Sequence, residues 1–86
     1  MEWKKYKHRR ILSKGTFVRL TDGTLACIDA DDWECCESGF QELNYYIFKI
    51  GTTLEDLWIY FHYPPENYND HRYVMINQQE VEEYGR

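Results

Sequence analysis

The sequence predicts a mainly β domain of the β-rich α+β class: a twisted antiparallel sheet or a small, partly open barrel, with a short C-terminal helix. Three observations carry that expectation. Short β-branched and aromatic segments recur along the chain, bounded by turn residues. One pair of them flanks an Asp-Gly dipeptide, a strong hairpin signal. Aromatic residues make up 17% of only 86 residues, and each can bury roughly 150–250 Å², enough to build a core with few aliphatic residues.

In chain order, the opening Trp3-Lys4-Lys5-Tyr6-Lys7-His8-Arg9-Arg10 interleaves aromatic with basic residues and runs into Ile11-Leu12. Trp3, Tyr6 and Ile11 can anchor this first element to a core while its lysines stay solvated. Ser13-Lys14-Gly15 reads as a turn. Thr16–Leu20 alternates with a period of two, so Phe17 and Arg19 face away from Val18. Asp22-Gly23 then closes a hairpin, with Gly supplying the positive φ of a type I′ turn, and Leu25–Ile28 returns.

Asp29–Asn44 shows no clean period and is expected to be a long connecting loop, with a helical turn around Asp31–Cys36. Tyr45–Ile50 reads as a strand ended by Gly51. Thr53–Tyr63 carries two signals. Thr53 and Asp56 have capping-box spacing, and Leu54, Leu57, Trp58 and Phe61 have helical spacing. Against this, Leu57–Tyr63 is almost pure β-former and runs into Pro64-Pro65, before which the α region is disfavoured. The strand is favoured, forming a second hairpin with Tyr45–Ile50. Pro64–His71 reads as loop and Arg72–Ile76 as strand. Asn77, three residues before Glu80, opens a helix over Gln78–Tyr84.

Length and composition fit a single domain, 1–86, and the charge divides it. Residues 1–14 carry six of the ten Lys and Arg against one acid, a balance of +5; residues 15–86 carry four against fourteen acids, a balance of −10. The acidic body has the wrong sign to neutralise phosphates and the right sign to meet a basic surface. No run approaches a membrane span of about 20 apolar residues. Three cysteines, an odd count with Cys35 and Cys36 adjacent, fit a reducing, cytoplasmic setting.

Cys27, Cys35, Cys36, His62 and His71 can ligate metals, but none shows the close paired spacing of zinc ligands. Asp29, Asp31, Asp32 and Glu34 suggest a calcium loop until the sixth and twelfth positions prove to be Glu34 and Phe40, where Gly and Glu are required. No metal and no cofactor is expected. Catalytic motifs are missing as well, so the chain is not expected to be an enzyme. What remains is surface: Asp29, Asp31, Asp32, Glu34 and Glu37 as an anionic patch, with Trp58, Tyr60 and Tyr63 as aromatic contacts of the kind enriched at binding hot spots.

Gly15–Ile28, with its Gly-Thr-Phe-Val-Arg-Leu strand and apolar return, resembles the first hairpin of small SH3-like (Tudor- or KOW-like) barrels. The resemblance implies an interaction module. It transfers no binding residues, because the Asp29–Asn44 segment departs from the short connection of those barrels. In size and charge the chain is similar to phage-encoded anti-CRISPR and other anti-defence inhibitors, which implies carboxylates standing in for phosphates. The expected function is therefore non-enzymatic binding of a basic protein partner through an acidic, aromatic surface. Nucleic-acid binding led by the basic N-terminal segment is the alternative, disfavoured because six cations are tied to a body of −10. Aromatic edge strands also leave a homodimer open.

Overall fold

A computed structural model describes residues 1–35, 41–64 and 73–85. Its strands are β1 (Trp3–Lys5), β2 (Phe17–Leu20), β3 (Leu25–Cys35), β4 (Gln41–Gly51), β5 (Tyr73–Asn77) and β6 (Val81–Gly85); helix α1 spans Leu54–His62. They form one antiparallel sheet in the order β1-β6-β2-β3-β4-β5. The mainly β, antiparallel expectation matches this architecture. Several of its parts do not.

The Asp22-Gly23 hairpin forms, but not as a type I′ turn. The Gly23 N–H donates to the Leu20 carbonyl at 2.9 Å and the Leu20 N–H to the Thr24 carbonyl at 2.8 Å. Gly23 alone takes a positive φ, 90°, whereas type I′ needs two such residues. The result is a three-residue connection, completed by the Asp22 carboxylate accepting from the Thr24 N–H at 2.9 Å.

Asp29–Asn44 is not the expected loop. β3 continues through Cys35 and β4 begins at Gln41, with Asp31 opposite Tyr45 and Glu34 opposite Glu42. Pairing overrides the poor strand preference of acidic residues, because β4 brings Leu43, Tyr45 and Ile47 to the core, all at most 1% exposed. Ser38, Gly39 and Phe40 lie outside the described residues.

Thr53–Tyr63 resolves to the helix, and the hairpin proposed between Tyr45–Ile50 and Leu57–Tyr63 does not form; β4 pairs with β3 and β5 instead. The capping box decides the start: Asp56 N–H donates to Thr53 Oγ1 at 3.1 Å, and the Asp56 carboxylate accepts from the N–H groups of Thr52 and Thr53, both at 2.9 Å. The proline pair is no obstacle, since the helix ends at His62 and the Tyr63 cap has left the α region (φ −132°, ψ 63°).

The C-terminal helix is likewise replaced. Asn77 does cap a turn, with its side chain accepting from the Gln79 N–H at 2.9 Å, but that turn is a single 3₁₀ stretch, Gln78–Glu80. Strand β6 follows because Val81 (0% exposed) and Tyr84 supply the apolar positions that face Leu20 and Val18 of β2.

One face of the sheet holds the main core, built from Val18, Leu20, Ala26, Ile28, Leu43, Tyr45, Ile47, Ile76 and Val81. The basic N-terminal segment is a strap across this face. After β1, the Tyr6 N–H donates to the Glu82 carbonyl at 2.9 Å; further on, Gly15 N–H reaches the Ile28 carbonyl at 2.8 Å. Tyr6 and Leu12, each 2% exposed, plug into the core between these points. Trp3 is only half-buried and Ile11 is 44% exposed, so Leu12 takes the anchoring part expected of Ile11. The opposite face carries Phe17, Cys27 and Phe48 under α1, with Phe17 meeting Tyr60 and Phe61 at ring-centroid distances of 5.9 and 4.8 Å.

The capping box makes the helix pH-sensitive. Hydrogen bonds, led by that of the Thr53 backbone, hold the Asp56 carboxyl below the usual carboxylate range. A depressed folded pKa contributes stability that is present above the unfolded value and lost as pH falls through the folded one. Urea unfolding is thus expected to show stability flat above about pH 5 and falling below about pH 4, the carboxylate range. Asp56→Asn should fall less steeply than the parent; an equally steep fall would remove the capping box as its source.

Candidate functional site

Helix α1 positions the aromatic residues. Its apolar residues outnumber those one face can bury, so only Leu57 is buried. Tyr60 turns toward the sheet, 5.9 Å from Phe17 and 6.1 Å from Phe48 between centroids. The remainder stay largely open to solvent: Leu54 is 66% exposed, Trp58 55%, Ile59 44%, Tyr63 of the cap 74%, and Phe61 55% even with its contact to Phe17. Leu54, Trp58 and Phe61 recur at i, i+4 and i+7, which aligns them along one flank of the helix.

Trp58 is held ready rather than loose. Its ring stacks on His62, centroids 4.0 Å apart and planes 22° from parallel, while His62 Nδ1 lies 2.9 Å from the Trp58 carbonyl oxygen. Because residues i and i+2 of a helix do not share a face, Trp58 and Tyr60 do not combine with Tyr63 into one aromatic cage.

The acidic residues are spread by the strand. Asp31 and Asp32 are successive positions of β3, opposite Tyr45 and Asn44, and successive strand positions belong to opposite faces. Glu34 is opposite Glu42, and Glu37 lies outside the described residues, as do Tyr68 and His71. Asp31 is exposed. Asp29 sits at a β-bulge between Ile28 and Ala30 and is paired with Lys14 at 3.8 Å.

One small cleft unites members of the two groups. Asp29 and Tyr60, far apart in sequence, line a cavity of about 140 Å³ with Lys14, Gly15, Cys27, Ile28 and Phe48. Burial raises the Cys27 thiol's pKa, so at neutral pH it remains a protonated, apolar lining rather than a nucleophile. Among the described residues no three His, Cys, Asp or Glu come together as a metal site. No helix among them is long and apolar enough to cross a membrane.

The sequence offered the basic segment 1–14 as the alternative binding surface, anchored through Trp3, Tyr6 and Ile11, but not the concavity it forms. Docking of the strap draws Lys4, Lys5, Lys7, Arg9 and Arg10 around an open concavity of about 500 Å³ beside Tyr84. The signal was present in Tyr6 and Leu12, two apolar anchors spaced along the cationic run. Comparison with protein-family models, curated proteins and solved structures finds no match.

Proposed function

We propose that this domain is a non-enzymatic protein-binding module that docks on a basic partner through the outer flank of α1. One observation carries the reading: four large apolar side chains, Leu54, Trp58, Phe61 and Tyr63, are each more than half exposed on one short helix and its cap. Trp and Tyr are the residue types that dominate binding energy when a partner desolvates them. The stacked His62 holds Trp58 in place before contact, which reduces the entropy lost on binding.

The charge supports a basic partner. Glu55 of α1 is exposed and Asp29 borders the cleft at Tyr60, giving carboxylates near the aromatic flank that steer a cationic surface and set register. Asp29 would exchange its 3.8 Å pair with the exposed Lys14 for a partner's cation. A phage-type inhibitor that occupies the Lys/Arg groove of a nucleic-acid-binding defence protein is the specific form of this reading.

Trp58→Ala and Tyr63→Ala each remove an exposed side chain and spare the core. Each is expected to weaken a partner captured by the parent at least tenfold in Kd, about 1.4 kcal/mol. Replacing Asp29, Asp31, Asp32, Glu34 and Glu37 together with Asn, Gln or Ser should do the same and lower the association rate. Partner binding that survives both sets, measured by biolayer interferometry, would sink the proposal.

A further inference from the structure

The basic concavity lies on the sheet face opposite α1, where Lys4 of β1 pairs in register with Tyr84 of β6. It gathers five of the ten Lys and Arg of a chain whose net charge is −5. Like charges repel, so such a gathering against the overall charge requires structure to hold it.

That structure is visible. His8 takes a φ of 58°, the left-handed region that costs a residue other than Gly about 1 kcal/mol or more. The turn is held by His8 Nε2 at 3.1 Å from the Val81 carbonyl oxygen and by edge-on packing of the ring on Tyr6 at 4.7 Å. It lies between Lys7 and Arg9, and so sets the two halves of the cluster around the concavity. Arg10 is fixed at both ends: its guanidinium lies 5.3 Å from the Tyr84 ring centroid, and its carbonyl accepts the Tyr6 hydroxyl at 2.5 Å.

None of the five cations is neutralised by a carboxylate among the described residues. The ion pairs there are Lys14–Asp29 and Arg19–Glu83. Glu83 stands opposite Lys5 in the ladder but reaches Arg19 on the neighbouring strand. Lysines on an edge strand also deter strand addition, which accounts for Lys4 and Lys5; Lys7, Arg9 and Arg10 lie beyond the strand and need another reason.

We infer that this concavity binds the phosphodiester backbone of a single-stranded nucleic acid, by charge and without reading base sequence. Apart from Tyr84 every residue that lines it carries a positive charge, whereas sites for small organic ligands place only a few polar groups among hydrophobic side chains. Its concave, open form fits a strand laid along it better than the plane of an anionic membrane. The acidic body still repels nucleic acid elsewhere, so contact is confined to this site.

Fluorescence anisotropy with a labelled oligothymidine of about 15 nucleotides, a length within the range covered by small single-strand-binding folds, tests the inference on the full chain. Neutralising up to five phosphates gives a slope of log K against log salt of about −3.5, that is, roughly a hundredfold weakening from 50 to 200 mM salt. The triple variant Lys7→Gln, Arg9→Gln, Arg10→Gln should raise Kd at least tenfold and reduce the slope by about 2. Lys49→Gln, an exposed cation elsewhere, should change neither. Circular dichroism of the triple variant should match the parent, because all three side chains are exposed. Oligonucleotide binding that is absent, or unchanged in the triple variant, overturns the site. So does inorganic tripolyphosphate binding as tightly as the oligonucleotide, or capture by phosphatidylserine vesicles without oligonucleotide binding. The protein-partner proposal fails or stands separately, since it is read from Trp58→Ala.

Discussion

Tyr45→Ala is expected to remove most of the domain's stability, and Tyr45→Phe to remove a measurable part of it through one oxygen. Tyr45 is 0% exposed at the centre of the main core. Truncating a buried aromatic to alanine costs about 3–5 kcal/mol. At about 0.05–0.15 kcal/mol per residue, a domain of this size holds only about 4–13 kcal/mol in all. The hydroxyl has its own part. The Leu12 N–H donates to it at 2.9 Å, and it lies 2.9 Å from the Tyr6 hydroxyl, whose own proton goes to the Arg10 carbonyl. Each oxygen has one proton, so the directions follow: Leu12 to Tyr45, Tyr45 to Tyr6, Tyr6 to Arg10. Burial, aided by the Tyr45 bond, pushes the Tyr6 pKa well above the usual phenol range, which keeps that proton in place. Tyr45→Phe strands the buried Leu12 N–H at a cost of about 1–3 kcal/mol. Urea melts should show a lower midpoint with an unchanged m-value. If Tyr45→Phe stays within about 0.5 kcal/mol of the parent, the relay is not what fastens the strap.

The second large effect is expected at Gly51, where β4 hands over to α1. A Cβ there would overlap the Asp56 carboxyl group and lie 2.6 Å from its Cβ. The latter is bound directly to the helix backbone, so the side chain cannot swing clear without leaving Thr52 and Thr53. Gly51→Ala is therefore expected to cost about 1–3 kcal/mol in overpacking and to lose the cap, worth about 0.5–2 kcal/mol. The second loss should be selective. Helical signal and the protection of Leu57 from amide exchange should fall before the main core opens, because the core lies on the other face of the sheet. Gly51→Ala with parental stability would show that the helix start can shift without penalty.

How far the sequence disclosed this fold depends on where its periods stay intact. The β2–β3 hairpin was legible because Thr16–Leu20 alternates cleanly and Asp22-Gly23 marks the turn. The Thr53–Asp56 box and the helical spacing of Leu54, Leu57, Trp58 and Phe61 were equally legible, but were outweighed by β-forming side chains that tertiary packing made irrelevant. Asp29–Asn44 was not legible. Bulges between Leu25 and Ala26, and between Ile28 and Ala30, shift the register and with it the alternation that a linear reading relies on. Val81–Tyr84 misled for a similar reason: its two glutamates suit a helix, whereas the strand depends on pairing with β2, remote in sequence. Of the candidate site residues, Trp58 and Tyr63 could be picked as exposed aromatics from composition alone. The meeting of Asp29 with Tyr60, and of five cations around Tyr84, is a product of topology.

The position of β6 has a consequence for how the molecule comes into being. Among the described strands it comes last in chain order, yet it lies between β1 and β2. Until β6 has been synthesised, β1 lacks the strand it pairs with, the Tyr6 N–H has no Glu82 carbonyl to meet, and the concavity lacks its Tyr84 wall. A nascent chain can form the β2–β3–β4 meander, but neither the strap nor the cationic surface is assembled until synthesis reaches β6. Any charged ligand of that surface would recognise only the finished domain.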